Sequence, residues 1–317
     1  SYSNSGSLIY PLPSYVVSHW ADYSACSAAI IDHIKANWKG TEPPVLALIG
    51  PGEYPSWRAS IVPEVHRYAE VQGVKLVEGF IPMMPIDTKP QILAAKAAGA
   101  NFIYTGIVDS QGDAVVRDWN DLGLREEIGM YGMFPMTHMV EIVGADVAEG
   151  VVMVGSHART GEDTPGIKLL EKIAEQNTGL TIDPKKQPGT NWIAGWMGCM
   201  VTSEAIKLAL QEVPFDKLTG QDVWEKGFMK IKDFDTGGLI PNVITLDEEH
   251  HITMAKLRMD VFHDGLRVME SSIEAKMLAP IYSEAYAKAH GKKSIYSDES
   301  LKWLGLTAEE VGFERIK

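Results

Sequence analysis

Between residues 45 and 154, short apolar runs alternate with stretches whose apolar positions recur every three or four residues. Val45 to Ile49 is uninterrupted and stops at Gly50, the pattern of a buried strand. Ile61, Val62, Val65, Tyr68 and Ala69 then fall at helical spacing, with Pro63 near the start of the regular helix and Gly73 at its end. Lys75 to Ile81 predicts a second strand. Thr88 to Ala98 predicts a helix with Thr88 as N-cap and Gly99 beyond its end. Phe102 to Val108 is a third strand, Gly112 to Leu122 a helix closed by Gly123, Met130 to Phe134 a fourth strand, and Val151 to Val154 a fifth. A short helix around His138 to Val143 separates the last two. Strands that are apolar along their length fit a parallel sheet covered on both faces. Strand and helix in strict alternation with short loops predict a doubly wound α/β sheet.

The pattern changes after residue 155. Helices are predicted over Pro165 to Asn177, Asn191 to Leu210 and Gln221 to Ile231, and only Val243 to Leu246 and Thr253 to Val261 read as strands. Asp264-Gly265 is a hairpin signal. The tail from Ala275 is polar and contains the capping box Thr307 to Glu310. Helices with an apolar face must bury it against something, and the stretch from 155 to 250 supplies almost no strands of its own.

Composition narrows the function. The 317 residues are 45% hydrophobic and 22% charged, enough for two lobes with separate cores. A net charge of −13 opposes binding to nucleic acid or to an anionic membrane surface, since both require displaced counterions on a basic face. The longest uncharged run, Gln187 to Ser203, is too short and too polar to span a bilayer. Cys26 and Cys199 are expected to be free thiols buried in helices. Gly50-Pro51-Gly52 after a strand lacks the third glycine of a dinucleotide loop, and Pro51 and Pro55 remove N–H donors. Asp247-Glu-Glu-His-His251 reads as a solvated turn, because neighbouring residues of an extended chain point to opposite faces and do not converge on one ion. No G-x-S-x-G, C-x-x-C or H-E-x-x-H pattern nominates a nucleophile or a metal. No cofactor, metal or catalytic activity is therefore expected.

Six segments, in order, resemble one family. Asp22 to Ile30 followed by Val45 to Ile49 is similar to the entry into the second lobe of type I periplasmic binding proteins. Pro85-Ile-Asp-Thr88, Ile92 to Gly99 and Asn101 to Tyr104 resemble the next segment, and Asp118 to Leu124 the one after it. Val143 to Gly150 resembles the close of that lobe. Phe234 to Leu239 with Val243 to His250 resembles the return from the first lobe, and His263-Asp-Gly265 the final hairpin. The match covers roughly residues 1 to 270, and it points to the branched-chain amino-acid type of ABC-transporter solute-binding protein.

The resemblance implies a two-lobed α/β fold. Residues 1–15 and 155–252 would be the remainder of a mostly helical first lobe, 16–154 and 253–270 the second, parallel α/β lobe, and 271–317 a C-terminal extension. The family's usual N-terminal strands have no counterpart, so a missing N-terminal segment or a second chain is expected to complete the first lobe. It further implies a periplasmic or extracellular protein, with or without a lipid anchor. Such a protein closes on a small carboxylate, amino-acid-like or aromatic-acid solute and presents it to an ABC permease. A ligand-sensing regulator of the same fold and an α/β enzyme are the alternatives.

The ligand-binding residues implied are Ser3 and Ser5 in a Ser-rich loop that would meet a carboxylate, Tyr54 and Trp57 after the first strand, Val108 and Asp109 after the third, and Met133 and Phe134 at the end of the fourth. Asp109 serves equally as a helix cap. No acidic residue lies between Met130 and Val140, where amino-acid binders carry the partner of the α-ammonium, so an apolar or aromatic acid fits better. Trp192 and Trp196 are expected mainly as core residues.

Overall fold

A computed structural model describes residues 14–106, 109–133, 138–179, 190–280 and 284–311. Its elements run α1 (Tyr23–Asn37), β1 (Val45–Pro51), α2 (Pro55–Ser60), α3 (Pro63–Gln72), β2 (Lys75–Ile81), α4 (Lys89–Ala97), β3 (Phe102–Thr105), α5 (Asp109–Asp121), β4 (Gly129–Met133), α6 (Met139–Val143), α7 (Ala145–Ala148) and β5 (Val152–Gly155). Helices α8 (Pro165–Thr178), α9 (Thr190–Ala209) and α10 (Gly220–Asp222) follow, then the strands β6 (Lys256–His263) and β7 (Leu266–Glu274), and the tail helices α11 (Glu284–Ala289) and α12 (Asp298–Leu304).

All seven strands form one sheet in the order β2-β1-β3-β4-β5-β6-β7. The first five are mutually parallel, while β6 runs antiparallel to β5 and β7 antiparallel to β6. The Asp264-Gly265 turn that joins β6 to β7 has both residues at positive φ, 51° and 76°, the geometry a two-residue hairpin needs.

The strands are apolar throughout because both faces are covered. On β1, Leu46 and Leu48 point into a core shared with α1, α2 and α3, whereas Ala47 and Ile49 point into a second core. On β3, Tyr104 joins the first and Ile103 the second, and α4 and α5 cover the second with Ile92, Val115, Val116 and Trp119. The edge strand β2 is the exception. It is largely exposed or half-exposed apart from Ile81, as expected where one side of a strand has no neighbour.

The tail is an integral part of this body. Leu278 and Leu304 are fully buried in the first core. Arg67 Nε donates to the Leu304 carbonyl at 3.0 Å, Tyr296 O–H donates to Glu64 at 2.6 Å, and Lys276 Nζ donates to Asp32 at 2.6 Å. The segment after β7 thus straps α1 and α3 onto the sheet.

The stretch from 156 to 250 packs differently. Ala158, Ile167, Leu170, Ile193 and Leu239 make a small core between α8 and α9, and Ala194, Met197, Val201 and Ala205 join the first core. At the border between this stretch and the sheet, the chain around Ser18 runs beside residues 251–253, with Ser18 N–H donating to His251 O and Thr253 N–H to Ser18 O, both at 2.9 Å, and Ala158 N–H donates to Leu239 O at 2.8 Å.

Three expectations need correcting. Val243 to Leu246 is not a strand: Ile244 makes one isolated bridge to Phe234, and its burial with Leu246 accounts for the apolar run. The helix expected over Gln221 to Ile231 breaks into a π-helical turn, Val223–Gly227, and a 3-10 turn, Phe228–Lys230. A side chain at Gly227 would meet the Ala205 carbonyl at 2.3 Å, so backbone packs on backbone there. Both cysteines are free as expected, but only Cys26 is buried; Cys199 is exposed on α9.

Candidate functional site

The strand order reverses between β1 and β3. The chain leaves β1 for β2 on one side, then crosses back to β3 on the other. In open parallel sheets a crevice forms beyond the carboxyl ends of strands at such a point, and ligands bind there. The residues following β1, β3 and β4 therefore build the candidate site.

After β1 the chain turns sharply through Gly50, Pro51 and Gly52 into α2. A side chain on Gly50 would run into the Trp57 ring at 2.3 Å, and one on Gly52 into the Phe80 ring at 2.7 Å, so glycine is required at both for this packing. Tyr54 is the N-cap of α2 and makes no side-chain cap hydrogen bond. Its backbone N–H donates to Pro51 O at 2.9 Å, and its half-buried ring rests on the first core. Arg58 braces the turn by donating from Nε to Gly52 O at 2.5 Å, with its guanidinium 5.0 Å from the Phe80 centroid.

Trp57, one turn on, is fully buried, with its ring centroid 5.5 Å from that of Tyr104. Its indole N–H has no hydrogen-bond partner among the described residues. Met133, at the end of β4, is also fully buried in the first core. Trp57 and Met133 thus lie behind the strand ends while Tyr54 reaches the surface. Asp109 is the first residue of α5, and its side chain lies outside the described residues. Ser3, Ser5, Val108 and Phe134 also lie outside them. Trp192 stands 37% exposed in the first turn of α9, and Trp196 is half-buried at the edge of the α8–α9 core.

The expected solvated turn holds for Asp247 to His250 but not for His251, which is buried with its ring 5.1 Å from that of Trp224. Asp247 Oδ1 accepts the backbone N–H groups of Glu249 and His250 at 2.9 Å each and His250 Nδ1–H at 2.8 Å. Among the described residues no group of His, Cys, Asp and Glu could hold a metal ion, and no helix is long and apolar enough to cross a membrane.

One buried polar network escaped sequence reasoning. Arg258 on β6 donates from Nε to Asp260 Oδ1 at 2.9 Å and from its two terminal nitrogens to Glu162 at 2.9 and 2.6 Å. Arg267 on β7 donates to Asp260 Oδ2 at 3.2 Å, and Arg159 approaches the same oxygen at 3.6 Å. Burial opposes ionisation of Asp260, but the surrounding guanidiniums, Arg267 foremost, hold its carboxyl below the usual range. The available signal was Arg258-Met-Asp260, two charges on one face of an otherwise apolar strand. Their partners, such as Glu162 at 96 positions' distance from Arg258, could not be read locally.

A mostly parallel sheet of this order with helices on both faces is the architecture of type I periplasmic binding proteins. The sequence profile described as periplasmic binding protein matches residues 11–260, and the chain belongs to that family. Solved structures share the fold. A branched chain amino acid ABC transporter protein from Thermus thermophilus, with bound valine, is 21% identical with a TM-score of 0.72, covering 91% of this chain and 73% of that one. A solute binding protein of an ABC transporter from Rhodopseudomonas palustris BisB5, in complex with 3,4-dihydroxy benzoic acid, is 18% identical with a TM-score of 0.61, covering 83% and 68%. A protein described as an ABC transporter permease from the Pseudomonas fluorescens group is 15% identical with a TM-score of 0.68, covering 97% and 72%. This chain spans 68% to 73% of the length of these three. No curated protein sequence matches it.

Proposed function

We propose that the chain is the extracytoplasmic solute-binding subunit of an ABC importer. It holds a small apolar or aromatic carboxylate over the carboxyl ends of β1, β3 and β4 and carries out no chemistry on it. The observation behind this reading is the strand reversal at β1 and β3 with Tyr54 at its mouth, half-buried and free of a capping role. A ring so placed offers an apolar face to a solute while its hydroxyl stays available. Trp57 and Met133 stiffen the floor beneath it, and Ser3, Ser5, Val108, Asp109 and Phe134, whose side chains lie outside the described residues, are proposed as further ligand-binding residues. The absence of any acidic residue from Met130 to Val140 favours a solute without an α-ammonium. Among known structures of this fold, one holds valine and another 3,4-dihydroxy benzoic acid, and the second is the closer chemical match to these residues.

In this reading residues 16–154 and 253–270 form one lobe and 1–15 with 155–252 belong to the other. The crossings that these bounds imply, next to Ser18, Ala158 and Thr253, act as the hinge on which the cleft closes. Closure presents the loaded protein to a permease outside the cytoplasm. Native mass spectrometry of the purified protein tests the reading. A co-purifying acid below roughly 300 Da, the scale that fits a small-molecule pocket, is expected. A bound peptide or nucleotide chain, or turnover of an added metabolite, would overturn it.

A further inference from the structure

A cleft of about 160 Å³ opens where residues 15–19, α9, the π-helical turn and Thr253 meet, at the border between the helical stretch and the sheet. Its walls are largely apolar. The Trp224 ring stands edge-on to Tyr15, with centroids 5.3 Å apart and planes at 71°, and is tilted against Phe228 at 5.8 Å. The buried His251 ring packs edge-on against Trp224 at 5.1 Å and fixes the indole in place. Val201 of α9 adds an aliphatic wall.

One polar group in this lining is unsatisfied. Thr253 is 2% exposed, and its Oγ1 has no hydrogen-bond partner among the described residues, although its backbone N–H is held by Ser18 O at 2.9 Å. A buried hydroxyl without a partner is destabilising, and this one both donates and accepts. None of the lining residues is Asp, Glu, Lys or Arg. His19 is the imidazole among them, and burial holds its pKa below the ordinary value, so it is neutral at pH 7. The cleft also borders a position without a side chain. Gly198 lies inside α9, where glycine is the poorest residue after proline, and a side chain there would meet no atom within 4 Å. Packing therefore does not call for glycine, and a larger residue would project into the cleft.

A cavity of about 150 Å³ holds one benzene-sized ring. Flat rings meet aromatic walls edge-on or offset, the arrangements that Trp224 already makes with its neighbours. We propose that this cleft binds one small neutral aromatic alcohol of the phenol class, with its ring against Trp224 and Phe228 and its hydroxyl hydrogen-bonded to Thr253 Oγ1. The uncharged lining disfavours a carboxylate, which separates this ligand from the acid assigned to the solute crevice. None of the lining residues follows β1, β3 or β4, so the site does not depend on which solute that crevice takes.

Fluorine NMR titration of the whole chain with 4-fluorophenol and with fluorobenzene tests this. The wild type should bind 4-fluorophenol saturably and fluorobenzene about fivefold more weakly, the worth of one hydrogen bond. Thr253→Val keeps the shape and removes the hydroxyl, and it should bring the two ligands within about twofold of each other. Gly198→Leu places a side chain in the cleft and should abolish binding of both. No saturable binding by the wild type, binding that survives Gly198→Leu, or an unchanged preference in Thr253→Val overturns the proposal. Should either variant not fold, wild-type crystals soaked with 4-bromophenol decide the matter. An anomalous peak between Trp224 and Thr253 supports the site, and a peak elsewhere alone, or water alone in the cleft, refutes it.

Discussion

The two halves of the molecule bury apolar surface in different ways. In the sheet half, successive residues of one strand enter two different cores, so that Leu46 and Leu48 pack against one helical layer and Ala47 and Ile49 against the other. In the helical half, α8 buries one stripe and leaves Leu169 46% exposed, and α9, although it shares Ile193 and Ala194 between two cores, leaves Ile206 36% exposed on its outer side. A strand held from both sides has little freedom to relax, whereas a helix covered on one side can shift when a neighbour changes. The same contrast runs through single pairs of residues. Trp57 is sealed in the sheet half while Trp192 is 37% exposed in the other, and Cys26 is buried while Cys199 is not.

Truncating the two tryptophans tests that difference most strongly. Trp57→Ala should cost about 3–5 kcal/mol, the usual range for emptying a fully buried aromatic site. Trp192→Ala should cost about 1 kcal/mol or less. Urea denaturation of both variants reads the comparison, and equal losses would break it.

A second test uses Asp22, the N-cap of α1. Its Oδ1 accepts from Ala25 N–H at 2.7 Å and from Ser24 O–H at 2.8 Å, yet burial pushes its pKa up to about 6. A folded pKa above the unfolded value of about 3.9 means that the contribution of Asp22 to stability is full below pH ~4 and is lost as pH rises through the folded value. Asp22→Asn keeps the acceptor and removes the ionisation. It should flatten stability between pH ~4 and ~6 and raise it at pH ~7 by about 1–3 kcal/mol. Asp260, whose pKa is lowered, acts in the opposite sense. Its contribution is present above the unfolded carboxylate value and disappears as pH falls through its depressed folded one. A pH series of melts on Asp22→Asn that parallels the wild type would contradict the assignment.

The smallest effect is at the thiols. Cys199 should react with a thiol reagent in the native protein, and Cys26 only after unfolding. Cys199→Ser should change stability by no more than about 0.5 kcal/mol. Two equivalents labelled under native conditions would show that the sheet half opens more easily than its packing implies.

These same contrasts explain what was legible in the chain. Strand β2 was read from Lys75 to Ile81 and occupies those residues, because glycine ends α3 before it and the apolar pairs Leu76-Val77 and Phe80-Ile81 flank Glu78-Gly79. The Asp264-Gly265 turn was legible because its conformation is a local property of the two residues. Val243 to Leu246 misled because burial of Ile244 and Leu246 leaves the same trace as a strand, while strand pairing needs a neighbour that local sequence does not reveal. The break at Gly227 depends on contact with Ala205, again a distant residue. At the candidate site, the position of Tyr54 just after β1 was legible from an apolar run that ends in glycine, while its role toward a solute came from the family resemblance. The depth of Trp57 was not, since it depends on the ring lying against Gly50 and Tyr104. The Asp260 network is the extreme case, because five charged groups from three separate segments converge and only Arg258 and Asp260 share a local spacing.

Calorimetric titration with 4-hydroxybenzoate, 3,4-dihydroxybenzoate, leucine and valine, on the wild type and on Tyr54→Ala, bears most directly on the proposed solute crevice. The account predicts one saturable site per chain that prefers an aromatic acid to either amino acid by at least about tenfold, a margin of ~1.4 kcal/mol. It also predicts a comparable loss of affinity in Tyr54→Ala. Tighter binding of leucine or valine than of both aromatic acids, or an unchanged affinity in Tyr54→Ala, would contradict it.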